Sequence, residues 1–260
     1  MDIEFRGNDQ RDNPSGGLCD EYHISAIASF TELNDAYHTL AAKHPGCRPL
    51  FTLDDRHQAR YTSGHARNNL ALDTATDEEI AALPAECFED GEYLGYLNTK
   101  PEFGICLRNF LALVAPATFA DACAHGLVLD EPALQEWVDY QARPVTLLDQ
   151  PMSALIVPVT QGRDALAAFP NGYFTSDLDP AQNYAVARHL ALAQGYELIG
   201  VGAAYLGFLR AEPANAQVAQ AVAQDLCALY NVANEQREAL AAVFAEAIDG
   251  RQYLWVRYVE

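Results

Sequence analysis

Lysine is almost missing from this chain. Lys43 and Lys100 are the only two, beside 14 arginines. A grip on nucleic acid needs a dense supply of basic side chains, because binding is driven by the release of counterions from phosphates. With 36 acidic against 16 basic residues and a formal net charge of −20, general nucleic-acid binding is not expected. Long hydrophobic runs are missing too. The strongest, Gly104–Pro116 and Ala154–Val159, are too short or interrupted for the roughly 20 apolar residues a membrane helix needs. The segment Met1–Asp9 has no basic start followed by an apolar run, so no export signal is expected. The six cysteines, at 19, 47, 87, 106, 123 and 227, form no CxxC pair. They read as reduced, mostly buried thiols. Together these absences predict a cytoplasmic protein without a membrane partner. No GxSxG elbow, HExxH helix, EF-hand loop or GK[ST] loop occurs, so no motif fixes a reaction.

What is present is ample core material. Half of the chain is hydrophobic and 10% aromatic, and 260 residues suit one large domain or two small ones. Residues 1–20, with Asn13-Pro-Ser-Gly-Gly17, read as a mobile arm. Residues 21–150 read as a helix-rich acidic part, with 25 acidic and 10 basic residues over 1–150. Its helices are expected at about 22–43, after the capping box Thr76-Asp-Glu-Glu79, and over 104–114, 118–125 and 131–141. Short strands are expected at 48–53 and 68–73, with a polar loop, Asp54–His65, between them. The Pro-containing stretch Arg143–Ser153 is the candidate boundary. Beyond it, over 151–260, strands at 154–159, 197–201, 205–210 and 252–259 alternate with helices. Pro158 suggests an edge or a bulge. The order βαββαβ predicts an α+β, ferredoxin-like antiparallel sheet with helices on one face, and 197–201 and 205–210 paired as a hairpin through Gly202.

Several groups of residues invite a chemical reading. Gly200-Val-Gly202-Ala-Ala-Tyr-Leu-Gly207 has the look of a nucleotide loop. A dinucleotide site needs a helix directly after the glycines, whereas Tyr205–Arg210 reads as a strand. No cofactor is expected. Cys19, His23, His38, His44 and Cys47 crowd together, but their spacing matches no zinc signature. On one continuous helix His23 and His38 stand about 22 Å apart. No metal is expected. Asp54, His57 and His65 supply acid–base groups in a polar stretch, and they mark the alternative reading, an enzyme with its site between the two parts.

The acidic run is more specific. Asp77, Glu78, Glu79, Glu86, Glu89, Asp90 and Glu92 fall within 16 residues without a Lys or Arg. A helix N-terminus accounts for the first three. It leaves Glu86, Glu89, Asp90 and Glu92 as a candidate surface for a basic protein partner. In the last strand, alternation places Leu254, Val256 and Tyr258 on one face and Arg251, Tyr253, Trp255 and Arg257 on the other. Tyr253, Trp255 and Arg257 form a second candidate contact surface, for packing against the first part or for another protein, since such residues dominate binding hot spots.

Asn171-Gly-Tyr-Phe174, Asp177-Leu-Asp-Pro-Ala-Gln-Asn-Tyr184 and Gly195-Tyr-Glu-Leu-Ile-Gly-Val-Gly202 are similar to the C-terminal region of uncharacterised bacterial proteins of the toxin-immunity kind. The resemblance covers residues 154–260 at most. It implies a cytoplasmic binder that blocks a toxin by occlusion, and it carries over no catalytic residue. The expectation is therefore a non-enzymatic, acidic binding protein.

Overall fold

Met152-Ser-Ala-Leu-Ile-Val157 carries no charge, and all six residues are buried. A strand buried on both faces belongs inside a sheet that is covered on both sides. The computed structural model, which describes residues 1–260, places it there. Seven strands form one sheet: β1 (Asp2–Gly7), β2 (Asp20–Ser25), β3 (Arg48–Phe51), β4 (Met152–Val157), β5 (Tyr196–Val201), β6 (Tyr205–Arg210) and β7 (Tyr253–Arg257). Their order is β1-β2-β4-β3-β5-β6-β7. Neighbours are antiparallel except β3 and β5, which run parallel. Nine α-helices surround it: α1 (Phe30–Lys43), α2 (Arg56–Asn69), α3 (Asp77–Ala82), α4 (Phe103–Val114), α5 (Phe119–His125), α6 (Glu131–Ala142), α7 (Pro180–His189), α8 (Ala216–Leu229) and α9 (Asn234–Ile248). No single helix is long and apolar enough to cross a membrane.

The fold is thus mixed α and β, but not ferredoxin-like. In that layout residues 151–260 would supply a complete sheet. Instead β2 and β3, from the first part, flank β4 on its two edges. Only β5, β6 and β7 pair among themselves, as a meander whose first turn is the expected Gly202 hairpin. Helices are not confined to one face, since β4 and nearly all of β5 and β6 are buried on both sides. The stretch 143–153 is no boundary: it leads from α6 into the sheet centre, and one core of 65 buried residues runs through both parts. Element order cannot show which strands compete for β4's edges. β2 and β3 win them because Tyr22, Ile24, Leu50 and Phe51 all bury there.

Other expectations change locally. The mobile arm is built into the fold: β1 pairs with β2, and Asn13 and Ser15 are buried. Asn13 Nδ2 donates to the Cys19 carbonyl at 2.8 Å, and Arg67 clamps the arm by donating to the Ser15 and Ala168 carbonyls at 2.7 and 2.9 Å. The helix expected from residue 22 starts at Phe30, capped by Ser29; residues 20–25 are β2, so His23 lies in the sheet. No group of three or more His, Cys, Asp or Glu is placed to hold a metal. Asn68–Asp73 ends a helix and turns; it is not a strand. The polar loop Asp54–His65 is mostly α2, capped by Asp55. Its buried face is Ala59, Thr62, Ser63 and Ala66, small or polar side chains that leave no apolar stripe to read. Pro158 stands just past β4 and marks no edge.

The free edge of β7 is covered. Trp137 and Gln141 of α6 donate to the Trp255 carbonyl at 2.7 and 3.0 Å. The Tyr230 hydroxyl accepts from the Arg257 amide at 3.0 Å and donates to its carbonyl at 3.1 Å. A strand edge satisfied by side chains is closed to further pairing.

Candidate functional site

The acidic run folds as two pieces. Thr76 and Glu79 form the capping box that starts α3, and Arg108 pairs with both Glu79 oxygens at 2.8 Å. After a turn at Ala85–Cys87, Glu89 and Glu92 exchange backbone bonds at 3.0 and 2.9 Å. Asp90 and Gly91, with φ of +51° and +83°, close this tight hairpin. Asp-Gly is the pair such a turn favours, because both positions need left-handed backbone. Glu86, Glu89, Asp90 and Glu92 are all exposed, and none has an ion-pair partner. The chain then presents Leu94 and Tyr96, 38% and 62% exposed.

The next segment is tied down from within. Glu102, 2% exposed, accepts the Leu97, Asn98 and Thr99 amides at 3.2, 3.0 and 2.9 Å and the Thr99 hydroxyl at 2.7 Å. Burial, followed by the charge of Glu102, pushes the Tyr93 hydroxyl up to about 12, so it stays neutral. The acidic hairpin and its two apolar neighbours therefore lie between the α3 cap and a segment held by a buried carboxylate.

The second candidate surface is not a surface. Tyr253 and Trp255 share a face, as alternation requires, but both are buried. The Phe30 ring, at the start of α1, packs 4.5 Å from Tyr253, and Trp255 lies over Gly207. Arg257 is half-buried; it pairs with Glu136 at 3.3 Å and lies over the Tyr205 ring. Of the two uses expected for this stripe, packing against the first part is observed, through Phe30, Glu136 and Gln141, and the partner-facing use is corrected. Its aromatics were assigned outward on the premise of a one-sided sheet, and α1 and α6 cover that side.

The acid–base group is not assembled either. Asp54 follows β3 and sits beside the end of the parallel strand β5, and carboxyl ends of parallel strands are where α/β folds place ligands. Here the carboxyl is occupied with the fold. Its Oδ2 accepts the Ala204 amide at 2.9 Å, while Oδ1 is buried without a partner against Gly202. Burial pushes its pKa up to about 7, against the lowering effect of the Ala204 hydrogen bond. His57 is exposed in the first turn of α2, and His65 packs between Tyr61 and Tyr173 at 4.4 and 4.9 Å. Neither histidine bonds Asp54.

No protein-family model, curated protein or solved structure matches this chain.

The three segments that carried the resemblance meet around Asn171. Its Nδ2 donates to the Gly202 carbonyl at 3.0 Å, and Asn183 Nδ2 donates to the Asn171 and Leu178 carbonyls at 2.9 and 3.1 Å. Tyr258 closes the cluster by donating to the Gly202 carbonyl at 2.7 Å. Gly172, at φ +106°, leaves no room for a Cβ, which would meet the Leu178 carbonyl. These residues lock the β5–β6 turn to α7 and β7. A Cβ on Gly202 would likewise collide with Asp54, so Gly202→Ala is expected to destabilise by about 1–3 kcal/mol, read as a shift in the urea midpoint. An unchanged midpoint would mean that Asp54 yields freely. Leu94 and Tyr96, the apolar companions of the acidic hairpin, were missed from sequence. Their signal was present, as two large apolar side chains directly after a run of carboxylates.

Proposed function

We propose that this chain is an acidic binding protein that docks a basic protein partner on the segment Glu86–Glu92, with Leu94 and Tyr96 as apolar anchors. The observation that carries the reading is four exposed carboxylates with no internal ion pair, next to a tyrosine that is 62% exposed. Carboxylates used by their own fold have local partners, as Arg108 pairs with Glu79 and backbone amides bind Glu102. Left open, they set up a negative potential that speeds encounter with a cationic surface. Charged rims govern association, and exposed aromatics set how long the complex lasts. Blocking by occlusion, the mode implied by the toxin-immunity resemblance, is the form of action that this surface supports.

The test is capture from native lysate on the wild-type chain and on a variant with Glu86→Gln, Glu89→Gln, Asp90→Asn and Glu92→Gln. Asn keeps the left-handed turn, and all four sites are exposed, so the fold is expected to be unaffected. A partner captured by the wild type should associate about tenfold more slowly with the variant. The gap should close in high salt, where the Debye length falls to ~3 Å. Tyr96→Ala should instead speed dissociation. Equal association rates for the two chains would end this reading. A turnover that depends on Asp54 would replace it with the enzyme alternative.

A further inference from the structure

At the opposite end of the parallel pair from Asp54, one face of the docked helix α1 leaves a gap over the sheet. Asn34, Tyr37, His38 and Ala41 recur at the i, i+3, i+4, i+7 spacing of one helix face. That face meets Glu197 and Ile199 of β5 and Leu209 of β6, which alternation and pairing place on the same side of the sheet. A fully apolar contact would seal. Here the helix offers Asn34, His38 and the small Ala41, and the strand offers the exposed Glu197. A cavity of about 320 Å³ remains, bordered also by Arg48, Arg210, Ala211 and Gln252. Its size lies at the small end of the range for ligand pockets, roughly 300–1,000 Å³. Its lining is mixed: an apolar patch of Tyr37, Ala41, Ile199, Leu209 and Ala211 lies beside six polar or charged residues.

The polar groups differ in how far the fold already uses them. Arg210 is committed, donating to the Gln194, Glu212 and Pro213 carbonyls. Gln252 donates to the Ala211 carbonyl. Arg48 makes a single long bond, to the Cys47 carbonyl at 3.4 Å. Glu197 accepts the Gly162 amide at 3.2 Å through Oε2, which leaves Oε1 free. Arg48 and Glu197 line one cavity, yet no ion pair within 4.0 Å joins them. A guanidinium and a carboxylate facing the same cavity without meeting leave a charge of each sign available to a guest.

We propose that this cavity binds a small zwitterion with an apolar body, of the free α-amino acid class. Arg48 takes the carboxylate through paired N–H donors, a geometry that suits a guanidinium. Glu197 takes the ammonium, and Ile199, Leu209 and the Tyr37 ring receive the side chain. The site is separate from the acidic hairpin and does not rest on the binding role proposed for it.

The experiment is isothermal titration of the full chain with L-phenylalanine and L-leucine at millimolar concentration. N-acetyl-L-phenylalanine and L-phenylalaninamide serve as probes with one charge blocked. Both amino acids should bind, and each blocked form should bind about tenfold more weakly or worse. Arg48→Gln should weaken L-phenylalanine and leave L-phenylalaninamide unchanged. Glu197→Gln should do the reverse, weakening L-phenylalanine while leaving the N-acetyl form unchanged. Both residues reach solvent, and circular dichroism of the variants checks that the fold is kept. Ala41→Phe, which fills the cavity from α1, should abolish binding. No heat with either amino acid overturns the proposal. So does equal binding of the N-acetyl form, or binding that survives Ala41→Phe.

Discussion

Trp255→Ala is expected to destabilise the chain by about 3–5 kcal/mol, the range for truncating a large buried aromatic. Trp255 has no exposed surface. Its ring fills the space that Gly207 leaves open: a Cβ there would stand 2.6 Å from Trp255 Cζ3. It also lies 5.6 Å from the Tyr253 ring. The gap left by truncation has little to collapse into, because β6 and β7 are already paired at this point. Trp255→Phe keeps most of the volume and should cost less than half as much. Urea unfolding of the three chains at one pH measures both. A loss below about 1 kcal/mol for alanine would contradict a packed α1–α6 side of the sheet.

Asp54→Asn is expected to make the chain more stable above neutral pH. Burial raises the folded-state pKa of Asp54 from 3.8 to about 7. Between about pH 4 and 7 the folded chain holds a proton that the unfolded chain has released, so stability falls as pH rises. The contribution of the protonated carboxyl is complete below about pH 4 and is lost as pH passes 7. A shift of this size corresponds to a ceiling of about 4 kcal/mol. Asparagine stays neutral throughout, and its Oδ1 can keep the Ala204 amide bond. The variant should therefore show a flatter dependence over about pH 4–7 and gain on the wild type at about pH 8. Asp177, also raised by burial, adds a slope of the same sign in both chains. Urea midpoints at acidic and alkaline pH, taken for both proteins, make the comparison. Parallel slopes would show that Asp54 ionises freely in the folded state.

Legibility in the sequence followed how local the cause was. Asp179-Pro180 starts α7 through a signal held in two adjacent residues, with Asp179 as cap and Pro in the first turn. The Thr76–Glu79 box, the Asp130 cap of α6 and the Gly202 hairpin are equally local, and all were readable. α2 was not: its buried face is made of Ala, Thr and Ser, and its cap, Asp55, takes a φ of +32° that no pattern announces. For the candidate site, Glu86, Glu89, Asp90 and Glu92 could be picked out because a run of one charge repels itself into solvent. Tyr253, Trp255 and Arg257 were picked by strand alternation; Tyr253 and Trp255 proved to be interior and Arg257 half-buried.

The sequence by itself determined which segments are helices and strands wherever caps, turns and periodicity act within a few residues. It also determined the negative surface, because carboxylates without local bases have nowhere else to go. Tertiary structure alone decided that β4 pairs with β2 and β3, that the two parts share one core, and that Trp255 is covered. It alone brought Arg48 and Glu197 to one cavity without letting them touch. The reason is physical. Alternation assigns a side chain to one of two faces, but whether that face is covered depends on elements more than 100 residues away, such as α6 packing on β7.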